Sequence, residues 1–173
     1  MHLWARAHGQ IEGEGPSLYD QHMMTQGQQV EALAQHYLEG VILPQYAQAE
    51  LMWQQPFDDG KFEIRVDALI HDHQAGAYDL YEVKSSTSIK KEVEMDLTFQ
   101  ALLLEDLLPL RHTYIVHINK EYLHGDALEI EKFFTHEELS TPVEKRREAV
   151  AAAREAALAV TKMGSPQPSF ACT

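Results

Sequence analysis

Three side chains near the middle of the chain, Asp67, Glu82 and Lys84, are of types and at spacings that can do chemistry. Glu82 and Lys84 lie two apart in the alternating run YDLYEVK. On a strand they leave by one face, while Tyr81 and Val83 take the other. Asp67 belongs to a second alternating run, KFEIRVDALI, and the segment HDHQAGAYD between the runs carries Gly76 and suits a hairpin turn. Two neighbouring strands then bring Asp67, Glu82 and Lys84 together at a sheet edge facing solvent. Two carboxylates and an amine placed so can hold a divalent cation and orient a water against a phosphodiester.

The elements that must position these groups follow from the periodicity. From Leu18 to Glu39 apolar residues recur at spacings of three and four, predicting a helix that Gly40 ends. QAELMWQQPF, from Gln48 to Phe57, reads as a strand in which Trp53 and Phe57 pack the sheet, and Asp58-Asp59-Gly60 is a hairpin turn. Asp59 is assigned to that turn rather than to a site. Strands over Lys61–His71 and Ala77–Lys84 follow; His71 and His73, two apart with no cysteine nearby, read as exposed loop residues rather than a second metal site. Lys90 to Leu108 has the apolar stripe Val93, Leu97, Ala101, Leu104 and Leu108 of an amphipathic helix, with Pro109 beyond its end. Its edge carries Gln100, which can reach the Lys84 side of the site. HTYIVHI, His112 to Ile118, is a further strand, and Tyr122–Phe134 is a short β or loop excursion. A final Ala- and charge-rich helix starts near Ser140 or Thr141, with Pro142 at its first position and a solvated face as its default, or else lying across the domain. The Pro/Ser-rich tail, residues 163–173, is expected to be a poorly ordered, flexible end.

Asp67, then Glu82-Val83-Lys84, in the flanks RVDALI, LYEVKSST and DLTFQALLLE, resemble the PD-(D/E)XK nuclease superfamily in its RecB-like branch. The runs EVKSSTSIKKEVEMDLTFQ, HINKEYL and KFFTHEEL are also similar to an uncharacterised bacterial family of that branch, and the resemblance spans residues 20 to 145. It implies an α/β, restriction-endonuclease-like αβββαβ core: a mixed central sheet flanked by helices. It also implies a metal-dependent nuclease hydrolysing DNA phosphodiester bonds, such as an exonuclease in repair or defence. Asp67, Glu82 and the backbone carbonyl of Val83 would bind Mg²⁺ or Mn²⁺, and Lys84 would act on the attacking water or stabilise phosphate charge. Gln100 matches a glutamine one helix later. In the first helix Gly27 and Glu31 match a glycine followed by an acid; Glu31 would complete the metal shell directly or through water, or else is a solvated helix acid, with His36 the competing candidate. RecB-like relatives with an iron–sulfur cluster bracket the core with cysteines. This chain opens at LWARAHG, like the segment after a leading cysteine, and its single Cys172 cannot supply four thiolates. That pattern suggests a domain taken from a longer protein, or else a member that lacks the cluster.

At 173 residues the chain suits one domain, residues 1–173, with a normal 45% hydrophobic content. No apolar run approaches a membrane span, no secretory leader opens the chain, and a lone cysteine fits a reducing compartment, so a cytoplasmic protein is expected. Acids outnumber bases 27 to 14, for a net charge of −13, which opposes tight binding to duplex DNA. Against that, Lys84, Lys90, Lys91 and Arg111 are expected to gather around the site. The partner expected is DNA, single-stranded or at duplex ends. A catalytically inactive nucleic-acid-binding or scaffold module that keeps the fold is the competing reading; the charge favours it and the intact Asp67, Glu82 and Lys84 oppose it.

Overall fold

Alternation of Val, Ile, Leu and Tyr with polar residues builds the centre of the molecule, a five-stranded mixed sheet in the order β1-β2-β3-β4-β5. The computed structural model describes residues 17–123 and 125–162. The 163–173 tail, Cys172 and LWARAHG lie outside the described residues. Among those described, the order is α1 (Leu18–Tyr37), β1 (Ala49–Asp58), β2 (Glu63–Asp72), β3 (Ala77–Lys84), α2 (Lys91–Glu105), β4 (Leu110–Ile118), the single turn α3 (Ile130–Phe133), β5 (Phe134–Glu138) and α4 (Ser140–Lys162). β1, β2 and β3 form an antiparallel meander, β3 and β4 are parallel with α2 as the crossover, and β5 closes the far edge antiparallel to β4. The mixed α/β core with helices on both faces is as expected. No described helix is long and apolar enough to cross a membrane.

Each face of the sheet has its own core. Leu80 and Ile115 point toward α2 and α4 and pack with Leu97, Ala101, Leu104 and Val143. Their neighbours Tyr81, Val83 and Val116 point the other way, toward Ala34, Tyr37 and Leu38 of the α1 segment. Each large side chain so buried contributes about 1.5–3 kcal/mol. The two hairpin turns are held by aspartates. Asp59 Oδ1 accepts the N–H groups of Lys61 and Phe62 at 2.8 and 2.7 Å, and Asp72 Oδ1 accepts those of Gln74 and Ala75 at 3.0 and 3.1 Å. Gly60 and Gly76 supply the left-handed backbone at φ +80° and +63° that the turns require.

The structure corrects or sharpens the sequence reading in three places. Gly40 does not end the first helix: the chain runs on through a π-helical turn, Leu38–Ile42, because Leu38 and Ile42 are both buried and only continued winding keeps both on the core side. Pro44 then sits in a short 3₁₀ turn, Leu43–Gln45. The segment after β4, expected as a short β or loop excursion, holds the helical turn α3 and leads into strand β5, whose Phe134 is buried beside Tyr37. Of the two readings of α4, a solvated face by default or a helix lying across the domain, the structure takes the second, since Val143 and Val150 are buried and it fastens onto α2 and the β1–β2 hairpin. Arg146 pairs with Glu94, Arg147 with Glu105, and Arg154 with Asp59, the Arg154 guanidinium also lying over the rings of Phe62 and Phe99.

Candidate metal centre

The expected site lies where two strands part. β2 and β3 are paired from Asp72↔Ala77 to Ala68↔Tyr81, and the ladder stops there. Asp67 is the next residue on β2 and Glu82 the next on β3, so both carboxylates stand in the mouth of a fork. Asp67 fills it: its Oδ2 accepts the backbone N–H of Val83 at 2.8 Å, taking the place a strand carbonyl would have held. In an extended strand the N–H and C=O of one residue point to the same side, so the Val83 carbonyl faces the same gap.

Glu82 leaves β3 on the α2 side and, contrary to the expectation of a solvent-facing edge, is buried at 6% exposure. A buried carboxylate requires partners, and it has two. Lys84 Nζ donates to its Oε1 at 2.6 Å, and Gln100 Nε2 of α2 donates to its Oε2 at 2.8 Å. The spacing read from sequence, Glu82 and Lys84 on one face with Gln100 reaching in, is therefore what the side chains do. Gln100 Oε1 is buried and has no protein partner. It is a buried acceptor, on the amide that bonds Glu82, left without a donor.

The electrostatics show crowding of negative charge. The Asp67 carboxyl is pushed up to about 6, by burial first and the charge of Glu82 second, with Glu31 adding to the rise and the Val83 N–H and Lys84 opposing it. Glu31, half-buried on α1, is thus close enough to act on Asp67, whereas His36 is exposed. Lys84 loses some basicity to burial but gains more from Glu82, Asp67 and Asp96, so its pKa is raised and it is an ammonium at neutral pH.

Two oxygen acids with a facing carbonyl suit a hard cation such as Mg²⁺ or Mn²⁺, which takes one or two carboxylates and fills its remaining positions from water and phosphate. The donor set fits that pattern and not a closed cage: among the described residues no three His, Cys, Asp or Glu side chains gather as a preformed metal-binding group.

Arg111 does not join the site. Its guanidinium holds Asp79 through two bonds, at 3.0 and 2.6 Å, and Asp72 at 3.0 Å. Asp72 lies at the closed end of the β2–β3 hairpin, five residues from Asp67 or roughly 16 Å along the strand. Lys90 and Lys91 open α2 beyond the fork and are exposed. His71 is not an exposed loop residue but a half-buried residue of β2 paired with Tyr78, and its ring stacks on the Tyr78 ring at 4.2 Å with His73, exposed in the turn, edge-on.

One site residue escaped the sequence reading. Gln54 of β1 lies opposite Asp67 and donates its Nε2 to Asp67 Oδ1 at 3.2 Å, from a backbone at φ +52°. The only sequence signal nearby is Pro56, which marks β1 as an irregular edge strand.

No protein-family model matches the chain. No curated protein matches it either. Among solved structures, the crystal structure of SSO0001 aligns over 95% of this chain and 85% of that chain, at 14% identity and a TM-score of 0.39.

Proposed function

We propose that this protein is a divalent-metal-dependent deoxyribonuclease, a RecB-like member of the PD-(D/E)XK superfamily acting on DNA in the cytoplasm. The observation that carries the reading is the fork itself. It sets two carboxylates and a backbone carbonyl on one gap, with a charged lysine on one of the carboxylates and more negative charge than that lysine can neutralise.

In this reading Asp67, Glu82 and the Val83 carbonyl hold Mg²⁺ or Mn²⁺, with Glu31 adding its charge from α1. The ion, when bound, supplies Lewis-acid charge at the phosphate and lowers the pKa of a bound water. The chain's own groups do the rest. The Val83 N–H fixes the plane of Asp67, and Gln100 and Lys84 fix Glu82 between them. Lys84, held on Glu82 as an ammonium, is placed to stabilise charge building on the phosphate. The unpartnered Gln100 Oε1 is placed to accept from that water.

A specific observation favours a second reading, a catalytically inactive DNA-binding or scaffold module. Arg111, Arg146, Arg147 and Arg154 are all spent on internal ion pairs, in a chain of net charge −13. The two readings part at Lys84. Labelled single- and double-stranded DNA is incubated with Mn²⁺ for cleavage and with Ca²⁺ for binding. In the enzyme, Asp67→Ala and Glu82→Ala abolish cleavage, and Lys84→Met lowers the rate about 10²–10³-fold while binding survives. A module that binds and never cuts, and whose Lys84→Met variant merely loses about one ion of salt dependence, would overturn the nuclease reading.

A further inference from the structure

The β1–β2 hairpin contains a distortion that the fold does not need for pairing. Trp53↔Ala68 and Gln55↔Val66 keep a single register, so no residue is inserted in either strand. Yet the faces exchange across the Gln54–Asp67 pair. Leu51, Trp53, Ala68 and Ile70 pack with the α1 core, whereas Phe57, Ile64 and Val66 pack with the α2 core. In regular strands residues two apart share a face, so Val66 and Ala68 could not part in this way without a local twist. Gln54 supplies it at φ +52°, the one described non-glycine residue with positive φ. Left-handed backbone is uncommon for glutamine and costs free energy. Such strain gathers where the surroundings enforce it for a purpose.

The consequence of the twist is specific. It turns Gln54 onto Asp67, so that the carboxylate has a donor on each oxygen, the Gln54 amide on Oδ1 and the Val83 N–H on Oδ2. With one donor the carboxylate can swivel about that bond. With two on different oxygens its plane is fixed, leaving the remaining lone pairs directed into the fork. We propose that Gln54 is a positioning residue, held left-handed so that its amide locks the Asp67 carboxylate in the orientation that receives a divalent cation. Its effect on the cation rests on the metal reading above; its effect on Asp67 does not.

The test separates the amide from the twist. Gln54→Gly accepts the left-handed backbone without strain and deletes the amide; Gln54→Asn tolerates the same backbone but stops one methylene short. Three quantities are read on each full-length protein: melting temperature, exchange of the Val83 amide by NMR, and Mn²⁺ affinity by calorimetry. Expected for Gln54→Gly are a melting temperature held or raised, Val83 exchange accelerated about tenfold or more, and Mn²⁺ affinity weakened about 10–100-fold, as for other residues that orient a metal ligand. Gln54→Asn should move the latter two the same way. Wild-type Val83 protection in folded Gln54→Gly or Gln54→Asn overturns the positioning role. Loss of Val83 protection with wild-type Mn²⁺ affinity overturns its link to the cation. If the wild-type protein takes up no Mn²⁺, the metal reading falls, and Val83 exchange still decides whether Gln54 locks Asp67.

Discussion

Replacing Asp67 by Asn should stabilise the fold while destroying the site. The Asp67 carboxyl stands at about 6 against an ordinary 3.8, because burial and then the charge of Glu82 disfavour its ionised form. Between about pH 4 and pH 6 the folded protein therefore binds more protons at this residue than the unfolded chain does. Stability falls as pH rises through that window and stays at the lower level above it. A rise from 3.8 to about 6 corresponds to on the order of 3 kcal/mol. Asn carries no charge to bury or repel and still offers an oxygen to the Val83 N–H, a bond the upward shift already includes, but its own amide faces the Gln54 Nε2 donor, a mismatch costing about 1 kcal/mol. The balance is a gain of about 2 kcal/mol above neutral pH, or roughly 4–8 °C in melting temperature for a chain of this length.

Paired urea titrations of wild type and Asp67→Asn in EDTA, at steps from about pH 4 to pH 8, measure this directly. Every other carboxylate is common to both proteins, so the difference in unfolding free energy reports Asp67 together with its coupling to Glu82. It should be near zero or slightly negative at the acid end, climb through about pH 5, and level off above about pH 6.5. Adding Mn²⁺ at about a hundred times its Kd should then raise the wild type by about 2.7 kcal/mol and leave the variant unmoved. A difference that is flat with pH, or a variant less stable than wild type at pH 8, would refute the claim that the fold holds Asp67 against its own charge.

Two further outcomes concern the frame rather than the site. Arg111→Ala should cost about 3 kcal/mol, since it strands Asp79 at 1% exposure, and a paired Asp79→Asn change should recover most of that loss. Mn²⁺ affinity should be unchanged in both, because this pair sits at the closed end of the hairpin. Arg154→Ala removes the ion pair to Asp59 and the guanidinium over Phe62 and Phe99, so amide exchange should quicken in the second half of α4, with about 1–2 kcal/mol lost.

Periodicity sufficed for most of the fold. Strand β3 runs over the residues the alternation marks, and the stripe of α2 is buried at Leu97, Ala101 and Leu104, although the helix ends at Glu105 and leaves Leu108 beyond it, half-buried. What escaped were features decided by tertiary contact. Gly40 carries a helix-stop signal, but two buried side chains beyond it pull the winding onward. Strand β5 is short and its FTHEE has four polar residues in succession, so only pairing with β4 makes it a strand. Within the site, Glu82, Lys84 and Gln100 were legible because a two-residue strand spacing and a helix edge fix their directions. Gln54 was not, because nothing in a glutamine announces a left-handed backbone. Arg111 was misplaced for a related reason: its proximity in sequence to the site elements hides the fact that β4 begins at the opposite end of β3 from Lys84.

The two buried acids of β3 show why the fork is better read as a site than as an ordinary internal ion pair. Asp79 and Glu82 lie three residues apart on one strand, on opposite faces and comparably removed from water. Asp79 is satisfied in full: Arg111 holds both its oxygens, and the Tyr46 hydroxyl adds a third bond at 2.7 Å. The fold can therefore neutralise a buried carboxylate when the group is structural. At the fork it does not. Asp67 and Glu82, with Glu31 in range, face Lys84 as the cation bonded among them, and the surplus charge shows in the upward shift of Asp67. An arginine in place of Gln54 or Gln100 would reduce the surplus; glutamines leave it standing. Left-handed Gln54, crowded acids and an unpartnered Gln100 oxygen are three separate costs to folding, and all three gather on one pair of acids, Gln54 bonding Asp67 and Gln100 bonding Glu82. Breaches of local rules that collect in one place are what a site selected for binding leaves behind. The surplus that remains is negative, and it is lined with oxygen donors. In the nuclease reading proposed above, a divalent cation would offset such a surplus and leave room in the gap for a phosphate.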